Sequence, residues 1–297
     1  MAAQLIQRRD EWRAALDDAR RRGATVGLVL TMGSLHGGHL SLIRRARADH
    51  GWVAVTDYVN PLQFGDPADL AAYPRDVEAD VAAAAEAGAD AVFAPSVEEM
   101  WPEPPATTVT VGVTAGRLED TARPGHLAGV ATIVTKLFSL AGPVTTYFGE
   151  KDYQQLLVVR RLVADLSLPV TVVGCPTVRE TDGLALSSRN TRIDPADRRA
   201  AGALYRALLA GKRAIEEDGA VERAKVEAAM AAVVEAEPAL ALDYAAAADP
   251  ADLSTPATLT GEVRLLVAAR LGPVRLIDNL GATVPGRDRD DRDQEEG

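Results

Sequence analysis

The chain has 297 residues, of which 47% are hydrophobic, with a formal net charge of −11 and one cysteine, Cys175. This length can bury one large core or two smaller ones; the acidic balance argues against nonspecific nucleic-acid binding, and a lone cysteine excludes an internal disulfide and suits a reducing, cytoplasmic setting. The first ten residues lack the apolar core of a signal peptide and no stretch has the length and apolarity of a membrane span, so the expected partners are small molecules, with no nucleic acid and no membrane.

Val26–Leu30 is an apolar run that predicts a buried strand. Thr31-Met32-Gly33-Ser34-Leu35-His36-Gly37-Gly38-His39 follows, and Leu40, Ile43 and Ala46 then recur at helical spacing. Two of the four histidines therefore sit where a strand hands over to a helix. The glycines let backbone approach a ligand closely, and a helix N-terminus offers N–H groups and partial positive charge to a phosphate. The pattern looks like the H-x-G-H nucleotide motif of adenylyl-transferring enzymes. With so few His and Cys, no cluster has metal-ligand spacing.

Trp52–Val59 predicts the next strand, followed by Asn60-Pro61-Leu62-Gln63. The Asn60 and Gln63 amides suit hydroxyls and a carboxylate, the ordinary alternative being a plain Asn-Pro turn. Asp76–Ala87 reads as helix and Ala91–Ala94 as strand. Arg123-Pro124-Gly125-His126 is a loop ahead of the helical run Val130–Leu140 and presents Arg123 and His126 to a ligand. Thr145–Phe148 is a strand running into Gly149-Glu150-Lys151-Asp152-Tyr153-Gln154-Gln155, where Lys151 lies at a helix start as a compact cation for phosphate oxygens. Val170–Val173 is a further strand. In Leu186-Ser187-Ser188-Arg189, two hydroxyls and a guanidinium form a phosphate clamp, against the alternative of a solvated Ser-rich loop.

Strands alternating with helices predict an α/β fold with a doubly wound parallel sheet, and ligands bind such sheets at the strands' carboxyl ends. After about Val178 the composition changes. Helical patterns run from Asp197 to Glu235, and Glu262–Ala269 and Val274–Asp278 read as short strands around Gly272-Pro273. The expected division is a first domain over 1–177, a smaller α+β C-terminal domain over 178–284, and a charged tail over 285–297 that is disordered.

Taken together and in order, these segments resemble the pantothenate synthetase (pantoate–β-alanine ligase) family, of the class I aminoacyl-tRNA-synthetase-like nucleotidyltransferases, from about Val26 to Arg192 and more weakly to Asn279. The resemblance implies a Rossmann-like first domain, a C-terminal lid and a homodimer. It implies condensation of (R)-pantoate with β-alanine through pantoyl adenylate, using ATP and Mg²⁺, with the metal held mainly by ATP phosphates rather than by the protein. By motif match, Thr31–His39, Gly149–Asp152, Val178 and Leu186–Arg189 hold ATP, and His39 is the family's proton donor. His36, Lys151 and Arg189 join His39 as the charge-stabilising groups. Gln63 and Gln155, with Asn60 and His126, bind pantoate, and Gln63 also places β-alanine.

The chain departs from the family pattern at four places. Leu30 stands where the family has Pro, and Leu186 where it has Met. Asp57 occupies a position that is apolar in the family, expected either near the core on the same face as Val53 and Val55 or reaching a cation at the strand end. Asp243–Ala248 lacks the family's polar–apolar alternation, which predicts an altered C-terminal domain. Two rival functions stay open from sequence: nucleotidyl transfer to a phosphorylated acceptor, and a non-catalytic nucleotide-binding paralogue.

Overall fold

A computed structural model describes residues 2–285, so the expected tail lies outside the described residues apart from Pro285. Six strands, β1 (Gln4–Ile6), β2 (Val26–Thr31), β3 (Trp52–Asp57), β4 (Ala91–Phe93), β5 (Val144–Gly149) and β6 (Val170–Cys175), make one parallel sheet in the order β1-β4-β3-β2-β5-β6. The helices of this part are α1 (Arg9–Arg21), α2 (Gly37–Asp49), α3 (Pro67–Ala71), α4 (Val77–Ala87), α5 (Val97–Met100), α6 (Glu119–Ala122), α7 (His126–Ala141) and α8 (Tyr153–Asp165). From β2 the chain winds outward through β3 to β4, then returns to start β5 on the other side of β2. The carboxyl ends of β2 and β5 therefore flank the point where winding reverses, the place where doubly wound sheets bind ligands.

Alternation along the strands sends side chains to two apolar layers. Val26 and Leu28 of β2, Ala54 of β3 and Phe93 of β4 pack with Trp12, Leu16 and the buried faces of α7 and α8. Val29, Val53, Val55 and Val92 point the other way, among Leu42, Ile43 and Ala46 of α2 and Ala84 and Ala87 of α4. Asp57 shares the parity of Val53 and Val55, so it lies on the α2–α4 side. Leu30 is half-buried against the first of these layers.

The chain divides into two units: residues up to Glu180 together with Ala185–Thr191, and Thr181–Leu184 with the chain from Arg192 onward. Leu186–Arg189 belongs to the first unit, tied there by the bridge between Arg179 and Ala185 and by the Leu186 N–H to the Val178 carbonyl, 2.9 Å. The second unit holds α9 (Arg198–Ala201), α10 (Ala203–Glu216) and α11 (Arg223–Glu235), and an antiparallel sheet of β7 (Leu240–Ala248), β8 (Glu262–Leu271) and β9 (Val274–Thr283). β7 forms despite its missing alternation. Ala246, Ala247 and Ala248 are all buried, and the register slips between Leu242 and Tyr244. That bulge sets Asp243 apart from the ladder, where it pairs with Arg275 at 2.6 Å. Among the described residues, no helix is long and apolar enough to cross a membrane.

Trp12 and Phe93 stack with ring centroids 4.9 Å apart, both fully buried, and so join α1 to the sheet. Trp12→Ala is expected to lower the unfolding free energy by about 3–5 kcal/mol. Urea unfolding checks this, and a loss below about 1 kcal/mol would show that the stack contributes little beyond its surroundings.

Candidate active site

A cavity of about 230 Å³ opens at the carboxyl ends of β2 and β5. Thr31, Met32, His36, Gly38 and His39 line it from the β2–α2 turn, Asn60 and Gln63 from the turn after β3, and Gly149, Lys151, Asp152 and Gln155 from the start of α8. Val178, Leu186, Ser187, Ser188 and Arg189 close another side. The remaining nucleotide-site candidates, Gly33, Ser34, Leu35, Gly37 and Glu150, are in the same turns but do not line the cavity. Tyr73, which sequence reasoning did not single out, does line it.

His36 is the N-cap of α2, and its Nδ1 accepts the Gly38 N–H at 3.1 Å. That bond leaves the ring proton on Nε2. The His39 ring stacks on His36 with centroids 4.1 Å apart. Burial pushes the His39 imidazole down to about 3, with His36 as a smaller cause, and burial followed by the Lys151 charge lowers His36 as well. Both rings are therefore neutral near pH 7, contributing hydrogen-bond donors without charge. Full positive charge comes from Lys151 and Arg189, and partial charge from the α2 N-terminus. Lys151 Nζ lies 3.5 Å from Asp152 Oδ1. Desolvation pushes Asp152 up, but the charges of Lys151 and Arg189 outweigh it, so the net shift is downward.

The turn after β3 is held from both sides. The Asn60 side-chain amide donates to Gln63 Oε1 at 3.0 Å and to the Gly129 carbonyl at 3.1 Å, and Asn60 Oδ1 accepts the Leu62 N–H. Gln63 Nε2 points at Met32 Sδ, 2.9 Å away, which links this turn to the β2–α2 turn. The adjacent glutamines of α8 separate cleanly. Gln154 is buried and spends its amide on the Glu119 N–H and on the Thr114 and Arg117 carbonyls, whereas Gln155 lines the cavity.

His126 is placed differently from its sequence-based expectation as a pantoate contact. It does not line the cavity; its Nδ1 donates to the Gln63 carbonyl at 2.9 Å and its Nε2 faces Arg123 Nη1 at 3.1 Å. Burial, then the Arg123 charge, pushes the ring down to about 4. His126 thus braces the Gln63 backbone. Leu186 reaches under the motif, since a Cβ on Gly37 would lie 3.1 Å from Leu186 Cδ1.

Asp57 is buried but meets neither a purely apolar core nor a cation. Its neighbour is the carboxyl of Asp80 on α4, a residue the sequence did not mark out. The two carboxylates of Asp80 and Asp57 lie under Gly33, which has φ +79°.

The helix–turn contact at Gly129 is equally tight: a Cβ there would stand 2.2 Å from the Leu62 carbonyl oxygen. Gly129→Ala must push α7 off the Asn60–Gln63 turn, at an expected cost of about 1–3 kcal/mol. A thermal melt checks it, and an unchanged melting temperature would mean that this contact yields without cost.

Residues 4–281 match the protein family described as Pantoate-beta-alanine ligase. A pantothenate synthetase of Roseiflexus castenholzii is 52% identical over 272 residues, covering 91% of this chain and 95% of that protein. The crystal structure of pantothenate synthetase from Thermus thermophilus superposes with a TM-score of 0.88 at 48% identity, over 93% of this chain and 98% of that one. The ligase from Francisella tularensis, crystallised with beta-gamma ATP and beta-alanine, gives a TM-score of 0.77 at 29% identity over 94% of this chain and 97% of that one. With a family match over nearly its whole length and relatives at half identity, the chain belongs to the pantoate-beta-alanine ligase family.

Proposed function

We propose that this protein joins (R)-pantoate to β-alanine at the expense of ATP, releasing AMP and diphosphate. The observation that carries the reading is the convergence on one cavity of the H-x-G-H turn, Lys151, Ser187-Ser188-Arg189 and the amides of Asn60, Gln63 and Gln155. Phosphate-binding groups and carboxylate- and hydroxyl-binding amides then share a single site. In the first step a pantoate carboxylate oxygen bonds to the α-phosphorus of ATP, and the bond to diphosphate breaks. In the second, the unprotonated amine of β-alanine attacks the acyl carbon, expels AMP and loses a proton to solvent.

The first step brings two anions together. At about 4 Å and an effective dielectric of 20 their repulsion is about 4 kcal/mol. Lys151, Arg189 and the α2 N-terminus offset it, while neutral His36 and His39 donate hydrogen bonds to the phosphates as charge moves onto the leaving diphosphate. Asn60, Gln63 and Gln155 hold pantoate, and Gln63 also places β-alanine. The attacking carboxylate is already ionised, so the site needs no activated Ser or Cys. Among the described residues, no group of three or more His, Cys, Asp and Glu side chains could hold a metal ion. In this reading Mg²⁺ arrives on the ATP phosphates, where it supplies further charge neutralisation, and the protein steps above do not depend on a protein-bound metal. A homodimer in the cytoplasm completes the reading, supported by the family resemblance and, for the reducing compartment, by the single Cys175.

Incubation with pantoate, ATP and a panel of amines, with products identified by mass, tests the function. Pantothenate, AMP and diphosphate are expected from β-alanine. An adenylated product that no amine discharges would favour transfer to another acceptor, and ATP binding without turnover would favour a non-catalytic paralogue. His39→Ala is expected to slow adenylate formation roughly a hundredfold, the usual cost of about 3 kcal/mol for one lost donor to a developing charge. Rapid-quench single turnovers measure this step, and a rate within a few-fold of the parent would remove His39 from its role.

A further inference from the structure

Under the β2–α2 turn two carboxyls lie against each other. Asp80, 5% exposed, accepts the Leu35 N–H on one oxygen and the Ser34 N–H on the other, each at 2.7 Å. Asp57, at the end of β3, faces Asp80 within hydrogen-bonding reach, and its Oδ2 is buried with no hydrogen-bond partner. The place where a Cβ on Gly33 would stand is 2.3 Å from Asp57 Oδ1 and 2.9 Å from Asp80 Oδ2. Two backbone donors aimed at Asp80 favour its ionised form. Asp57 has no such donors, so a proton held between the two carboxyls sits on Asp57.

The surroundings do not relieve the pair. Tyr73, from the stretch between α3 and α4, is pushed up by burial first and only weakly by the charges of the two carboxyls, while Ser188 and Arg189 act on it in the opposite direction. β2 presents Thr31, the register partner of Asp57, and β4 presents Phe93 beside Thr56; neither titrates. Burial, then the Asp80 charge, pushes the Asp57 carboxyl up to about 6.

We propose that Asp57 and Asp80 together position the β2–α2 turn for ATP: with a shared proton Asp57 bridges to Asp80 and keeps it under the Ser34 and Leu35 amides, and without that proton Asp57 repels Asp80 and the hold on ATP weakens. This rests on the reading that Thr31–His39 hold ATP. The only chemical change is loss of one proton to solvent. By linkage, ATP that favours the protonated pair must raise proton uptake by the same factor. For stability the sign is the same. Because the folded protein holds the Asp57 proton more tightly than the unfolded chain, the contribution of Asp57 is fully present below about pH 4 and is lost as pH rises through about 6.

Two measurements separate the proposal from the reading beneath it. The first is the NMR shift of the Ser34 and Leu35 amides without ATP, titrated from about pH 5 to about pH 8, in the parent and in Asp57→Asn and Asp57→Ile. The parent amides are expected to titrate with a midpoint near 6, and both variants to lose that transition. Parent amides that stay put, or variants that titrate like the parent, would overturn the proposal. The second is the ATP dissociation constant by calorimetry over the same range, taken as the ratio of parent to variant so that the titration of ATP itself cancels. The ratio is expected to rise about fivefold or more towards alkaline pH, the lower end of ordinary coupling between sites. Titrating amides with a flat ratio would overturn the proposal, because the carboxyl coupling would then have no effect on ATP, and would leave the reading that Thr31–His39 hold ATP untouched. Melts provide the control for folding: the gain in melting temperature of Asp57→Ile over the parent should be larger at about pH 8 than at about pH 5, and a gain that shrinks with pH would contradict the stated sign.

Discussion

A single buried carboxylate sets the shape on which the site depends. Asp80, carried by α4, takes the Ser34 and Leu35 N–H groups where the chain leaves β2, before His36 caps α2. A strand-to-helix handover this tight leaves backbone donors that neither element can use. Asp80 satisfies two of them, and the His36 ring a third. Ser34, with φ +52°, adopts left-handed backbone that such an anchor has to stabilise, whereas Gly33, with φ +79°, reaches it without steric cost. Once the turn is fixed, Met32 meets Gln63, and His36 and His39 stack at the cavity wall. The side-chain amides of the Asn60–Gln63 turn and the two imidazoles are thus aligned through one short stretch of chain.

The electrostatics of the cavity differ from a simple cluster of cations. The sequence suggests four positive or potentially positive groups, His36, His39, Lys151 and Arg189. Burial lowers both imidazoles far enough that they act as neutral donors. Neutral donors suit a site that must accept a polyanion and then release AMP, because they strengthen with developing charge without holding the product by a full ion pair. The net charge of −11 makes the local placement of Lys151 and Arg189 more important, since the field of the whole chain opposes anionic ligands.

The parallel sheet was legible from sequence because its strands are short apolar runs set between helical repeats, and the five expected strands form within a few residues of their expected ends. β1 was missed because three residues, Gln4–Ile6, of which only Ile6 is buried, leave no periodicity to read. β7 was missed because alanines buried in succession and a bulge at Asp243 erase the alternation. At the site, residues within a local motif were legible, since spacing alone ties them to a turn. Asp80 and Tyr73 were not: Asp80 lies 46 positions beyond the Ser34 N–H it accepts, on a helix whose own pattern gives it no distinction. His126 was visible as a loop histidine, but its hydrogen bond to the Gln63 carbonyl depends on a contact 63 positions away.

The central chemical claim is that a carboxylate oxygen attacks the α-phosphorus of ATP. Pantoate labelled with oxygen-18 in its carboxylate tests it most directly. After turnover with β-alanine, mass spectrometry of the products should find one labelled oxygen in AMP for each pantothenate formed and none in diphosphate, because the oxygen that bonds to phosphorus leaves with AMP. Label in diphosphate, or unlabelled AMP, would contradict the account and place the activating bond elsewhere.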